Sequence, residues 1–212
     1  MKKPWIITAI IVIAIIIVVG IIISININSK QKESIKENNK EEEIMYNTGK
    51  HHTQIVVKDY GTISVELDAD VAPITVANFA KLVNDGFYNE LTFHRIISGF
   101  MIQGGDPLGN GMGGSEQTIK GEFKANGVAN SISHVRGTIS MARSSSYNSA
   151  SSQFFIMHED GPFLDGQYAA FGIVTSGMEI VDKICEDTEV TDNNGTVAKA
   201  NQPVIEKITM ID

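Results

Sequence analysis

The chain is 212 residues long, with 17 Lys+Arg, 25 Asp+Glu and one cysteine, and its formal net charge is −8. Residues 51–212 carry 10 Lys+Arg against 20 Asp+Glu, and residues 1–50 carry 7 against 5. So acidic a body argues against general nucleic-acid binding, which needs a basic surface to displace counterions. The single Cys185 excludes an internal disulfide and reads as a small, inert apolar residue.

The chain opens on Met1-Lys2-Lys3-Pro4-Trp5, a short charged flank over residues 1–5. An Ile/Val run follows from Ile6 to Ile23, and no charge interrupts it before Lys30. About 20 such residues cross the hydrocarbon core of a bilayer, with Trp5 at the interface. A cleavable signal would have an apolar region of roughly 7–15 residues and a small-residue cleavage site. Ile22-Ile23-Ser24 makes a poor one, so residues 6–25 are expected to be a retained transmembrane signal-anchor. Lysines flank the run on both sides and do not decide its orientation. The charged-start layout of an export signal favours the N-terminus inside, which makes this a single-pass protein of the cell membrane with its body on the extracytoplasmic side. Residues 26–50 are polar, charged and poor in aromatics, as a solvated stalk is. The body is then residues 51–212, the size of one ordinary domain.

Within it, Ile55-Val56-Val57 and the alternating Ile63, Val65 and Leu67 predict a hairpin through Asp59-Tyr60-Gly61. A helix is predicted from Pro73, with Val76, Phe79, Ala80 and Val83 on one face, ending at Asn84-Asp85-Gly86. Further strands are expected at 93–97, 100–103, 137–141, 153–157, 170–174 and 204–210. A second helix is expected over 178–185. Mostly antiparallel strands with two helices and Gly/Ser/Asn loops point to a mainly β closed barrel.

Two blocks hold the chemistry. The first is Phe93-His94-Arg95-Ile96-Ile97-Ser98-Gly99-Phe100-Met101-Ile102-Gln103-Gly104-Gly105-Asp106. Strand alternation puts Phe93, Arg95 and Ile97 on one side, His94 and Ile96 on the other, and Met101 with Gln103. A guanidinium framed by Phe, Met and Gln suits recognition of a peptide group. The second block is Ser152-Gln153-Phe154-Phe155-Ile156-Met157, followed by Phe163-Leu164-Asp165-Gly166-Gln167-Tyr168, with Gly137–Ala142 before it. In order and spacing these segments resemble the cyclophilin-type peptidyl-prolyl cis-trans isomerases, over about residues 54–212.

That resemblance implies an eight-stranded antiparallel barrel capped by two α-helices, an isomerase of X–Pro bonds, and no cofactor or metal. It implies Arg95, Gln103 and Phe100 as catalytic residues. The implied substrate-binding set is His94, Met101, Ala142, Arg143, Gln153, Phe155, Phe163, Leu164 and Tyr168. Proline-containing segments of exported polypeptides would be the substrates. Many eukaryotic members have Trp where this chain has Phe163 and His where it has Tyr168. Phe163 lacks the indole donor, so binding of the cyclic peptide cyclosporin is expected to be weakened. A different class of function also fits the residues, a non-catalytic chaperone or docking module for proline-containing segments.

Other features read more plainly. His51-His52, His134 and His158 lack metal-ligand spacing. The loop Gly109–Gly114 has glycines but no helix opening directly after it, as a dinucleotide loop requires. Gly121-Glu122-Phe123 reads as a turn with a packing contact.

Overall fold

The structure is a computed structural model that describes residues 21, 23–32, 34–35 and 46–212. It divides into two units, Met1–Glu41 and Glu42–Asp212. Within the first, residues 23–32 and 34–35 are helical and exposed. The expected membrane span over residues 6–25 lies almost wholly outside the described residues. Among those described, no helix is long and apolar enough to cross a membrane.

The second unit is a single antiparallel sheet with two α-helices. In chain order it runs β1 (Lys50–Val57), β2 (Gly61–Asp68), α1 (Pro73–Asn84), β3 (Phe93–Ile97), β4 (Met101–Gly104), β5 (Thr138–Met141), β6 (Phe154–Met157), β7 (Ala170–Ser176), α2 (Met178–Asp187) and β8 (Ile205–Met210). The spatial order is β3-β4-β6-β5-β7-β2-β1-β8. The β1–β2 hairpin turns through Asp59 at φ 65, a left-handed conformation that Asp tolerates. The predicted apolar face of α1, Val76, Phe79, Ala80 and Val83, is buried.

The closed barrel expected from the sequence is corrected here: the sheet is open. Its edge strands β3 and β8 do not pair as strands, and only the isolated bridge Thr92↔Val204 joins them. That bridge lies just before both strands begin, with Phe93 N donating to Pro203 O and Ile205 N to Leu91 O at 2.9 and 2.7 Å. The two strands diverge from there.

The main core is built around rings. Phe79 of α1 lies 5.1 Å from Tyr88, 5.7 Å from Phe154 and 5.3 Å from Phe171, centroid to centroid. Tyr46, in the stretch read as stalk, belongs to this core and donates its hydroxyl to the Asp212 carbonyl. The start of α1 is capped from far along the chain. Buried Glu122 accepts the N–H of Ile74 at 3.0 Å and the N–H and hydroxyl of Thr75 at 2.7 Å each. A carboxylate there satisfies first-turn donors and opposes the helix dipole.

A second, smaller apolar cluster forms on the other face of the same strands. It holds Met101, Phe155, Met157 and Leu164, with Ile97, Phe100, Ala142 and Tyr168 packed against it. Strand alternation makes this division: Ile102, Phe154 and Ile156 face the main core, and Met101, Phe155 and Met157 face the other way.

Candidate active site

The small cluster lines a cavity of about 290 Å³ with Arg95, Phe100, Met101, Gln103, Ala142, Arg143, Phe155, Phe163, Leu164 and Tyr168. All ten are among the twelve expected site residues, but this wall also depends on groups far off in sequence. Arg95 reaches the cavity because of an irregularity in β3. Phe93 pairs with Gly104 and Arg95 with Gln103, so the register shifts between them. The expected shared face of Phe93, Arg95 and Ile97 therefore fails at Phe93, which turns into the main core while Arg95 and Ile97 stay on the site side. A bulge does this by inserting one unpaired residue into the ladder.

Arg95 is fixed from three sides. Its Nη1 donates to Gln103 Oε1 at 3.2 Å, its Nε to the Asn194 carbonyl at 2.8 Å, and its Nη2 to Asn194 Oδ1 at 3.2 Å. A guanidinium has five N–H groups, so one on each terminal nitrogen is left over for a ligand. Burial pushes its pKa down, partly countered by Tyr168 and Asp192. The group stays charged, since arginine starts from above 12. Gln103 passes the chain on: its Nε2 donates to Gln153 Oε1 at 2.9 Å, and Gln153 Nε2 donates to the Gly113 carbonyl at 2.7 Å.

The apolar wall has a back and a mouth. Phe155 meets Tyr168 edge-on at 6.0 Å and stacks on His134 at 6.0 Å and 18°. His134 Nδ1 lies 2.9 Å from Asp165 Oδ1 and its Nε2 lies 3.0 Å from Ser140 Oγ. Burial holds His134 below the ordinary imidazole range despite the pull of Asp165. A neutral ring therefore donates from Nδ1 to the carboxylate and accepts from the serine hydroxyl at Nε2. At the mouth, Phe163 is 69% exposed and its ring lies 5.5 Å from that of Phe100.

A second cavity of about 230 Å³ adjoins, lined in part by Gln103, Met112, Arg143 and Gln153. Arg143 stands between the two. Its guanidinium lies over Phe123, Tyr147 and Tyr168 at 5.2, 5.1 and 4.6 Å and donates to the Gln167 carbonyl. The loop over this side is drawn together by Asp106, whose carboxylate accepts the N–H groups of Leu108, Asn110 and Gly111 at 2.8, 3.0 and 2.6 Å. Burial raises the Asp106 pKa, but these donors and Gly113 outweigh it and hold the group below the ordinary carboxylate value.

Of the residues singled out in the sequence, ten line the first cavity: Arg95, Phe100, Met101, Gln103, Ala142, Arg143, Phe155, Phe163, Leu164 and Tyr168. Gln153 faces the adjoining cavity and touches the first only through Gln103. His94 is 4% exposed and lines a third hollow beside Asn110 and Asn194 instead. Burial, with Arg95 nearby, keeps its pKa low against the pull of Asp106, so the ring is neutral. Asn194 was invisible to sequence reasoning; its one signal is the Asp192-Asn193-Asn194-Gly195 turn, whose Gly195 carbonyl accepts the Ile96 N–H at 2.8 Å. Among the described residues no group of three or more His, Cys, Asp or Glu could hold a metal ion.

Comparison with known proteins agrees with this geometry. A sequence model of the family described as "Cyclophilin type peptidyl-prolyl cis-trans isomerase/CLD" matches residues 52–210. A Brucella suis protein named "Probable peptidyl-prolyl cis-trans isomerase" is 46% identical over 158 residues, covering 69% of this chain and 76% of its own. The Bacillus subtilis "Peptidyl-prolyl cis-trans isomerase B" is 44% identical over 144 residues, covering 68% of this chain and 92% of its own. A cyclophilin-type isomerase of Cryptosporidium parvum, crystallised in the presence of the dipeptide Ala-Pro, superposes with a TM-score of 0.67 at 31% identity, over 76% of this chain and 99% of its own. The chain belongs to the cyclophilin-type peptidyl-prolyl cis-trans isomerases.

Proposed function

We propose that the isomerase activity of this chain resides in the Arg95 cavity and serves polypeptides outside the cytoplasm. Rotation about a peptide bond is slow because C–N double-bond character sets a barrier of about 18–20 kcal/mol. At X–Pro the cis and trans forms are close in energy, so the barrier is the whole problem. No covalent bond has to break. A site that binds the twisted amide better than either planar form lowers the barrier by differential binding.

The observation that carries this reading is a guanidinium held at the rim of an apolar cavity, with two N–H groups unassigned. The proline ring would enter between Phe100, Met101, Phe155 and Leu164. Arg95 would donate toward the prolyl nitrogen as its lone pair frees on twisting. Its three fixed bonds pre-organise it, so little reorganisation accompanies the reaction. Gln103 would orient Arg95 and hold the substrate backbone, and Ala142 and Arg143 would flank the residues before the proline.

The experiment is a protease-coupled proline isomerisation assay on the full chain in detergent, wild type against Arg95→Ala. Losing one preorganised donor of this kind costs about 10²–10³ in rate, and that loss is expected with the fold intact. A wild type that binds proline peptides without accelerating them would leave the docking-module reading in its place.

The anchor over residues 6–25, the stalk over 26–50 and the extracytoplasmic placement of the body belong to the same proposal. The uninterrupted Ile6–Ile23 run supports them. Protease added to intact cells should cleave the body if it lies outside; protection of the body until the cells are lysed would place it inside.

A further inference from the structure

Phe100 stands on the Ser98-Gly99-Phe100 turn between β3 and β4, and one distant residue clasps that turn. Gly99, at φ 78, donates its N–H to His158 Nδ1 at 2.8 Å. His158 donates its own backbone N–H to the Phe100 carbonyl, also at 2.8 Å. A backbone amide can only donate. Nδ1 of His158 is therefore the bare nitrogen, and Nε2 carries the ring proton. Nε2 lies 3.1 Å from Asp182 Oδ1 on α2, within ion-pair distance but without a hydrogen bond, so the tautomer is fixed from the Gly99 side.

Arg136 ties the assembly together. Its Nη2 donates to Asp182 Oδ2 at 2.8 Å and its Nη1 to the His158 carbonyl at 2.6 Å. The remaining charged groups around the ring are Glu159, 3.8 Å from Arg136, and Asp160, which accepts the Arg136 N–H at 2.8 Å. None of these groups lines the Arg95 cavity. His158 reaches its wall through the turn that carries Phe100.

We propose that His158 is a positioning residue for the reaction: by holding the Gly99 amide it seats the Phe100 ring at the mouth of the proline pocket. The inference rests on the function proposed above, since it assigns Phe100 to that pocket. Asn can present a side-chain oxygen where His presents Nδ1, so His158→Asn keeps the acceptor and His158→Ala removes it.

The test combines activity with nitrogen and proton NMR on the full chain in detergent. In the wild type, the His158 nitrogens should show the Nε2–H tautomer, and the Gly99 amide proton should be shifted downfield and lose that shift in His158→Ala. Misplacing a site group by a fraction of its reach costs rate steeply, so His158→Ala should lower kcat/KM about 5-fold or more, while His158→Asn stays within about 2-fold of wild type. An Nδ1–H tautomer overturns the inference. So does a His158→Ala variant at the wild-type rate, or a His158→Asn variant as slow as His158→Ala. A wild type without isomerase activity would instead sink the function proposed above, and the latch would then stand or fall on the Gly99 and His158 signals.

Discussion

The two faces of β4 and β6 are made by adjacent residues and have opposite characters. On one, Phe154 meets Phe79, Tyr88 and Phe93 edge-on within 5.6–6.1 Å, and Ile102 and Ile156 are fully buried. On the other, Phe155 meets His134 and Tyr168, and the space in front of it is left open. A ring enclosed on all sides contributes to stability, because removing it leaves a void that neighbours cannot fill. A ring that walls an open cavity contributes less to stability and more to what enters. Neighbouring phenylalanines in one strand thus do separate work, and strand alternation alone assigns it.

The sharpest way to break this comparison is to truncate the two rings in turn. Phe154→Ala should cost about 3–5 kcal/mol of stability, or on the order of 10 °C in melting temperature for a domain this size. Phe155→Ala should cost about 2 kcal/mol while lowering kcat/KM about 10-fold or more. Equal melting temperatures and equal activities for the pair would end the distinction. Next in size is the helix cap. Glu122→Gln retains one acceptor of the carboxylate and should lose about 1–2 kcal/mol, read by chemical denaturation, with kcat/KM nearly unchanged because Glu122 lies on the core side.

Acid should act on the site side through Asp106. Asp106 is held below its ordinary pKa in the fold, so its contribution is complete above about pH 4 and is lost as the pH falls through the folded value. Melting temperature measured from pH 7 down to 2 should drop on that limb. Asp106→Asn should start lower at pH 7 and fall less steeply, and an unchanged acid limb in this variant would remove Asp106 from the explanation. The smallest expected effect is at the mouth. Phe163→Trp supplies an indole N–H and should tighten cyclosporin about 3–10-fold, one net hydrogen bond. Calorimetry showing no gain would place the determinant elsewhere.

The strands and both helices of the body were legible because period-2 and period-3.6 patterns survive in the sequence, as at 154–157 and in Val76, Phe79, Ala80 and Val83. Most of the Arg95 cavity was legible too, through the resemblance carried by the two long blocks. Three things were not. The bulge at the start of β3 leaves no local mark, so Phe93 was put on the wrong face. The openness of the sheet depends on how far β3 and β8 diverge, which no single strand encodes. Asn194, Glu122 and His158 act through partners 99, 47 and 59 residues away. Their roles are tertiary, and a polar residue in a loop says little about what will be folded against it.

The seam between the sheet's two ends also decides which backbone groups of β3 remain free to pair. The outer side of β3 is already occupied: Ile96 donates to Gly195, Val197 donates to the His94 carbonyl, and Phe93 donates to Pro203. Ile205 at the head of β8 is likewise bonded to Glu90 and Leu91. An extended client searching for backbone partners finds these places taken. The β3 margin is therefore closed to a ninth strand.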